Sequence, residues 1–206
     1  MLVIIDYGMG NLRSVQKGLE QVGFNARLTN SPEIVRDATG IILPGVGAFG
    51  DCIKSLKKLG LFSILRESIN RNIPYLGICL GYQILFEESE EFGKNSGLGI
   101  FRGKVVRFPK DLGLKIPHMG WNRVCMKKDN FLFQGIPKDS YFYFVHSYYP
   151  IPEDKKLETG TTEYGIEFKS CVFRGNLFAC QFHPEKSQDL GLKLLYNFGK
   201  LVSRKS

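Results

Sequence analysis

The sequence predicts an α/β fold: a mostly parallel central sheet flanked by helices, followed by a β-rich C-terminal half. Three observations carry this. Short apolar, β-prone runs alternate with helical stripes over the first ninety residues. β-prone segments then dominate from 100 to 182, and glycine-rich or proline-containing turns follow several of the runs directly. With 206 residues, 43% of them hydrophobic, the chain is expected to form one domain over residues 1–206 with a substantial core.

The first run, Leu2–Ile5, is a strand without a polar residue. Leu12, Val15, Leu19 and Val22 then recur at helical spacing and form one face. A weaker strand is predicted at Phe24–Leu28, and stronger ones at Gly40–Leu43 and Pro74–Ile78. Between the latter two, Ile53, Leu56 and Leu59, then Leu61, Leu65 and Ile69, repeat the helical stripe. Strands alternating with helices imply parallel pairing with helices on both faces. Beyond Phe92, segments 100–108, 121–127, 141–149 and 166–182 read as strands, with Arg174-Gly175-Asn176 as a hairpin turn. Leu190, Leu194, Leu195, Phe198 and Leu201 close the chain with a helix over 187–201.

Composition excludes several classes. No apolar run approaches the ~20 residues that span a bilayer. The start, MLVIIDYG, lacks the basic opening and cleavage site of a signal peptide, so a cytoplasmic protein is expected. Five cysteines (52, 79, 125, 171 and 180) are odd in number and without metal-like spacing, which argues against a disulfide framework. The net charge of +8 is spread over groups such as Lys54/Lys57/Lys58, Lys127/Lys128 and Lys155/Lys156, which read as solvated faces. No basic tract with interleaved aromatics points to nucleic acid. Gly8-Met9-Gly10 opens like a dinucleotide fingerprint, but Arg13 stands where the third glycine belongs.

Three motifs carry chemistry. Gly77-Ile78-Cys79-Leu80-Gly81 sits where a strand hands over to a helix, the setting of a nucleophile elbow with cysteine in place of serine. A helix start there would favour the thiolate through free N–H groups and the dipole. Taken alone, the pentapeptide equally describes a buried structural cysteine beside packing glycines. Pro44-Gly45-Val46-Gly47 follows another predicted strand and frees backbone amides for an oxyanion, with the Leu80 amide as the second donor; an ordinary strand-to-helix turn has the same look. His183-Pro184-Glu185 follows a third strand and offers a base with an orienting carboxylate, provided the fold brings both to Cys79. His118 and His146 are rivals for the same role.

PGVG, GICLG and HPE, in this order and each at a predicted strand end, together resemble the class I (triad) glutamine amidotransferase family, which has a flavodoxin-like core. The resemblance implies a triad of Cys79, His183 and Glu185, an oxyanion hole at Val46, Gly47 and Leu80, and L-glutamine bound by Gly45, Gly47, Gln83 and the backbone at Ser147 and Tyr148. Further matches at Asp6–Gly8, Gly10–Leu12, Pro117–Asn122, Val145–Tyr148 and His183–Ser187 look like the glutaminase subunits of histidine biosynthesis. These work as heterodimers with a (β/α)8-barrel cyclase subunit and use no cofactor or metal. That likeness puts Asn11, Trp121 and Lys186 at the partner interface, whereas Trp121 by itself reads as a core aromatic. Tyr82, where methionine is common, and Ala179-Cys180, where glycine and a small or branched residue are usual, depart from the family pattern. A related barrel partner in amidino-sugar synthesis, a γ-glutamyl hydrolase and a non-catalytic interaction subunit are the competing readings.

Overall fold

A computed structural model describes residues 1–126, 130–155 and 157–204. Lys127, Lys128 and Lys156 lie outside them, while Lys54, Lys57 and Lys58 are exposed. The alternating half consists of β1 (Leu2–Ile5), α1 (Leu12–Gln21), β2 (Arg27–Thr29), α2 (Pro32–Arg36), β3 (Gly40–Gly45), α3 (Phe49–Lys58), α4 (Leu61–Asn70) and β4 (Tyr75–Cys79). A single helical turn, α5 (Leu80–Gln83), follows. The second half runs β5 (Phe86–Ser89), β6 (Asn95–Ser96), β7 (Phe101–Arg107), β8 (His118–Met126), β9 (Ser140–His146), β10 (Tyr148–Pro152), β11 (Glu158–Glu163), β12 (Glu167–Arg174) and β13 (Leu177–Cys180), closed by α6 (Gln188–Ser203).

Nine strands form the central sheet in the order β2-β1-β3-β4-β13-β12-β11-β8-β9. Pairing is parallel from β2 to β13 and antiparallel from β13 to β9. The parallel character therefore belongs to the half that holds the chemistry, and hairpin-like pairing extends the sheet beyond it. A smaller sheet, β10-β7-β5-β6, packs alongside.

Alternation along β1 explains the layering. Leu2 and Ile4 join one apolar cluster with Val15 and Leu19 of α1 and Leu194, Leu195 and Phe198 of α6. Val3 and Ile5 join the other, with Val35, Leu56 and Leu65 of α2, α3 and α4. A strand covered on both faces has no polar side, which is why its sequence is a continuous apolar run.

Four elements escape the apolar pattern. β11 reads ETGTTE and contains no large apolar residue to alternate. β5 and β6 are four and two residues long. α2 has five residues, too few for periodicity, and is started by Ser31, whose hydroxyl accepts from the Ile34 N–H at 3.4 Å, and by Pro32. Segment 141–149 is two strands, not one. It breaks at Ser147, and β9 and β10 enter different sheets.

The feature that positions the site is the adjacency of β3, β4 and β13. Gly45 pairs with Cys79 on one side of β4, and Cys180 pairs with Ile78 on the other. Parallel strands end along one edge, so the segments after all three emerge together. Among the described residues no helix is long and apolar enough to cross a membrane.

Candidate active site

Cys79 is the last residue of β4 and adopts φ 54°, ψ −103°. A side-chain-bearing residue held there stores about 1–3 kcal/mol of backbone strain. The flanking glycines make that conformation possible. A Cβ on Gly81 would collide with the Leu43 carbonyl of β3, and one on Gly77 with the Gly81 carbonyl. The elbow is therefore wedged between two strands, and the bend aims the sulfur out of the sheet edge. The helix expected to follow it is only one turn long, so its dipole is a small influence on the thiol.

The His183-Pro184-Glu185 segment follows β13 and folds as a tight 3-10 turn over Pro184–Lys186. It is pinned to β9: the His183 N–H donates to the Tyr143 carbonyl at 2.9 Å, and the Tyr143 N–H donates to the Ser187 hydroxyl at 3.0 Å. His183 Nδ1 lies 2.8 Å from Glu185 Oε1, with both side chains almost fully buried. Nε2 makes no aligned hydrogen bond among the described residues. Burial pulls the imidazole's pKa down, but the Cys79 sulfur and then Glu185 overcome it and push the pKa up to about 10. His183 is thus held protonated on Nδ1 by the carboxylate, with Nε2 left for the sulfur.

The rival histidines are committed elsewhere. The Tyr148 carbonyl can only accept, so His146 Nδ1, 2.9 Å away, carries a proton. His146 Nε2 lies 3.0 Å from His118 Nδ1, and His118 Nε2 lies 3.1 Å from the Asn122 amide nitrogen, which can only donate. Neutral rings satisfy this whole chain with one polarity: Asn122 to His118, His118 to His146, His146 to Tyr148. Burial lowers the pKa of His118 to about 4 and that of His146 to about 3. His146 has no free lone pair, and neither ring is available as a base.

A cavity of about 280 Å³ opens beside the sulfur. Val46, Gly47, Leu80, Gln83, His146, Ser147 and Tyr148 line it. Gly45 does not line it. A Cβ there would meet the Tyr7 hydroxyl and Leu80, so Gly45 is the residue that lets β3 lie close under the elbow. Gln83 is only 5% exposed, and its amide nitrogen already donates to the Tyr148 carbonyl at 2.9 Å and to Gln181 Oε1 at 3.1 Å. The carbonyls of Ser147 and Tyr148 are likewise engaged, the former by the Phe108 N–H at 3.1 Å.

Three residues at the site were given no role from the sequence. Glu91 lines the cavity, and burial raises its carboxyl pKa although its Oε2 accepts from the Phe49 N–H at 2.7 Å. It lies in an irregular stretch with no periodic signal. Val145 lines the cavity with its carbonyl 4.0 Å from the sulfur. Gln181 donates its amide N–H to Cys79 Sγ at 3.5 Å. A signal for Gln181 existed: it stands two residues before His183, directly after the strand β13.

The residues expected at a partner interface share one neighbourhood. Trp121 is 47% exposed, not a core aromatic, and lies 6.2 Å from the Tyr143 ring across the β8–β9 pair. Lys186 Nζ lies 5.8 Å from the same ring. Asn11 immediately precedes α1, which packs against the Pro184–Lys186 turn. Met119 and Tyr141 are exposed on the same face as Trp121. Tyr82, by contrast, points away from the cavity and donates to the Lys169 carbonyl at 3.2 Å. Ala179 and Cys180 are buried in the β13–β4 ladder.

A half-parallel sheet carrying a strained cysteine and a buried histidine–carboxylate pair at one strand edge defines the class: an α/β enzyme with a candidate cysteine–histidine–glutamate site. The chain belongs to the class I glutamine amidotransferase family, whose model, described as glutamine amidotransferase class-I, matches residues 3–201. It is 52% identical over 206 residues to the imidazole glycerol phosphate synthase subunit HisH of Syntrophotalea carbinolica, covering 98% of this chain and 100% of that relative. It is 53% identical over 201 residues to the HisH subunit of Moorella thermoacetica, covering 98% and 95%. The fold is that of a solved glutamine amidotransferase, at a TM-score of 0.74 and 20% identity over 98% of this chain and 100% of the other.

Proposed function

We propose that this chain is the glutaminase subunit, HisH, of an imidazole glycerol phosphate synthase in histidine biosynthesis, working as one cytoplasmic domain that hydrolyses L-glutamine and hands the ammonia to a (β/α)8-barrel cyclase. The observation that carries the reading is the Cys79 elbow facing the buried His183–Glu185 pair at adjacent parallel strand ends. The Cys79 thiolate attacks the side-chain carbonyl carbon of glutamine. N–H groups of Leu80 and of the Val46–Gly47 segment hold the negative oxygen of the tetrahedral adduct. His183 gives its Nε2 proton to the departing nitrogen, the C–N bond breaks, and a γ-glutamyl thioester remains. A water, deprotonated by His183, then adds to the thioester, and the C–S bond breaks to release glutamate and restore Cys79. Glu185 keeps the imidazole in the required tautomer throughout.

The cavity suits this substrate. Its volume of about 280 Å³ accommodates one amino acid, and Glu91, a carboxylate in its wall, complements an α-ammonium group. Gly47, Gln83 and the Ser147–Tyr148 segment frame the remaining contacts, with Gln83 contributing its oxygen because its nitrogen is in use.

Ammonia released into water is protonated and lost as a nucleophile, so the reaction has a purpose only beside an acceptor. The exposed Trp121, Tyr141 and Met119, flanked by Lys186 and Asn11, supply an apolar surface with a polar rim next to the site, the anatomy of a protein interface. Near-full-length identity of about half to HisH subunits supports the histidine-pathway partner over an amidino-sugar barrel. Labelling the native chain with a glutamine-like diazoketone, followed by peptide mapping, tests the site. Modification is expected at Cys79 alone, and reaction at Cys52, Cys125, Cys171 or Cys180 instead would overturn it.

A further inference from the structure

We infer that Gln181 is a catalytic residue that holds the attacking sulfur of Cys79 as the thiolate, and that Gln83 is the positioning residue that aims it. The inference rests on the reading of Cys79 as the nucleophile.

The hydrogen-bond polarity determines the orientation of both amides. The Tyr148 carbonyl accepts only, so the Gln83 atom 2.9 Å from it is the nitrogen. That same nitrogen lies 3.1 Å from one terminal atom of the Gln181 amide, which must therefore be its oxygen. The other terminal atom of Gln181 is then its NH2 group, and it lies 3.5 Å from Cys79 Sγ. Turning the Gln181 amide over would place two NH2 groups against each other and an oxygen against the sulfur. Gln181 is fully buried and its backbone is held by the Ser170 carbonyl at 2.8 Å, so it has little freedom to leave.

The β4–β13 register explains why it is there. Ile78 pairs with Cys180, so the next residues out, Cys79 and Gln181, stand side by side at the strand ends. Gly45 occupies the matching place on the other side. The nucleophile is thus flanked by the oxyanion loop on one hand and an amide donor on the other.

An amide N–H suits this task. It donates to the charged sulfur more strongly than to the neutral thiol, and it has no proton to lose at any working pH. His183 must give its proton away during each cycle. The sulfur is bonded to the substrate carbon when that proton leaves, so the Gln181 N–H acts on the free thiolate, before attack and again as the C–S bond breaks. The opposing acceptor, the Val145 carbonyl, is at 4.0 Å and favours the thiol only weakly. The other titratable groups that face the sulfur are Tyr7 after β1 and Cys180 on β13, both kept neutral by burial, with Glu185 acting through His183 and with His146 and Glu91 across the cavity.

The test is the pH profile of Cys79 alkylation by iodoacetamide in the full chain, read by peptide mapping, with the partly exposed Cys125 as internal reference. Gln181→Met keeps the volume and removes the donor. The midpoint for Cys79 is expected to move up by about one pH unit, with a roughly tenfold slower reaction at neutral pH, while Cys125 is unmoved. A superimposable profile in the folded variant overturns the inference. Should Gln181→Met fail to fold, Gln83→Met carries the test: it leaves Gln181 in place but free to turn, and a smaller shift in the same direction is expected. An unchanged profile there overturns the inference equally. If Cys79 of the unaltered chain resists both iodoacetamide and the diazoketone, the nucleophile assignment itself falls, and the inference with it.

Discussion

Cys79 and His183 draw their chemistry from different sources, and the difference decides what each substitution does. The cysteine is held at φ 54° by a backbone that has no room to relax, while the histidine is set by one carboxylate bond of 2.8 Å and by the sulfur itself. Replacing His183 by asparagine leaves the elbow intact but removes the one imidazole nitrogen left free among the described histidines, so glutamine hydrolysis is expected to fall by roughly 10⁴-fold. His146→Asn disturbs a neutral ring whose two nitrogens are already engaged, and its loss should be at least a hundredfold smaller. Ammonia release measured for both variants checks this, and equal losses would return the base assignment to dispute. At this scale the sequence was informative about Cys79, His183 and Glu185 because each sits in a motif with its own glycines or proline. It was silent about Glu91, which reaches the cavity from an irregular stretch.

Among the elements, the elbow is the one whose geometry the whole edge depends on. Gly81 lies against the Leu43 carbonyl and Gly77 against the Gly81 carbonyl, so neither position can accept a methyl group without moving backbone. Gly81→Ala is expected to cost about 3 kcal/mol or more, the upper part of the range for overpacking, because the obstacle is main chain and cannot turn aside. A denaturant titration reads the stability, and diazoketone labelling of Cys79 should be lost in whatever fraction stays folded. A variant with native stability and native labelling would show that the strand–elbow contact is slack. The strands themselves divide by legibility. β1, β3 and β4 are covered on both faces and announce themselves as apolar runs. β11 carries threonine, glycine and glutamate and is held by its neighbours on either side, so only the folded sheet reveals it.

Over the whole molecule, the buried His118–His146 pair ties the antiparallel end of the sheet to the cavity wall, since the two face each other across β8 and β9. Both have folded pKa values below the ordinary 6.5, so the unfolded chain binds protons that the folded chain refuses. Their contribution to stability is fully present above that value and is lost as pH falls through about 4 and 3. Between pH 6.5 and 5, before most carboxylates titrate, the urea midpoint is therefore expected to fall; a constant midpoint would mean that one of the rings is charged in the folded state. By itself the sequence determined the α/β class, the three motifs and their order, because strand-end turns and glycine clearances are local requirements written in adjacent residues. Only the tertiary structure decided that His183 rather than His118 or His146 lies free beside Cys79, that Gln181 touches the sulfur, that Gly45 supports the site without lining it, and that Trp121 is exposed. Those facts depend on register between strands a hundred residues apart, on amide and imidazole polarity, and on which face of a sheet is left uncovered. No pattern within a single segment contains them.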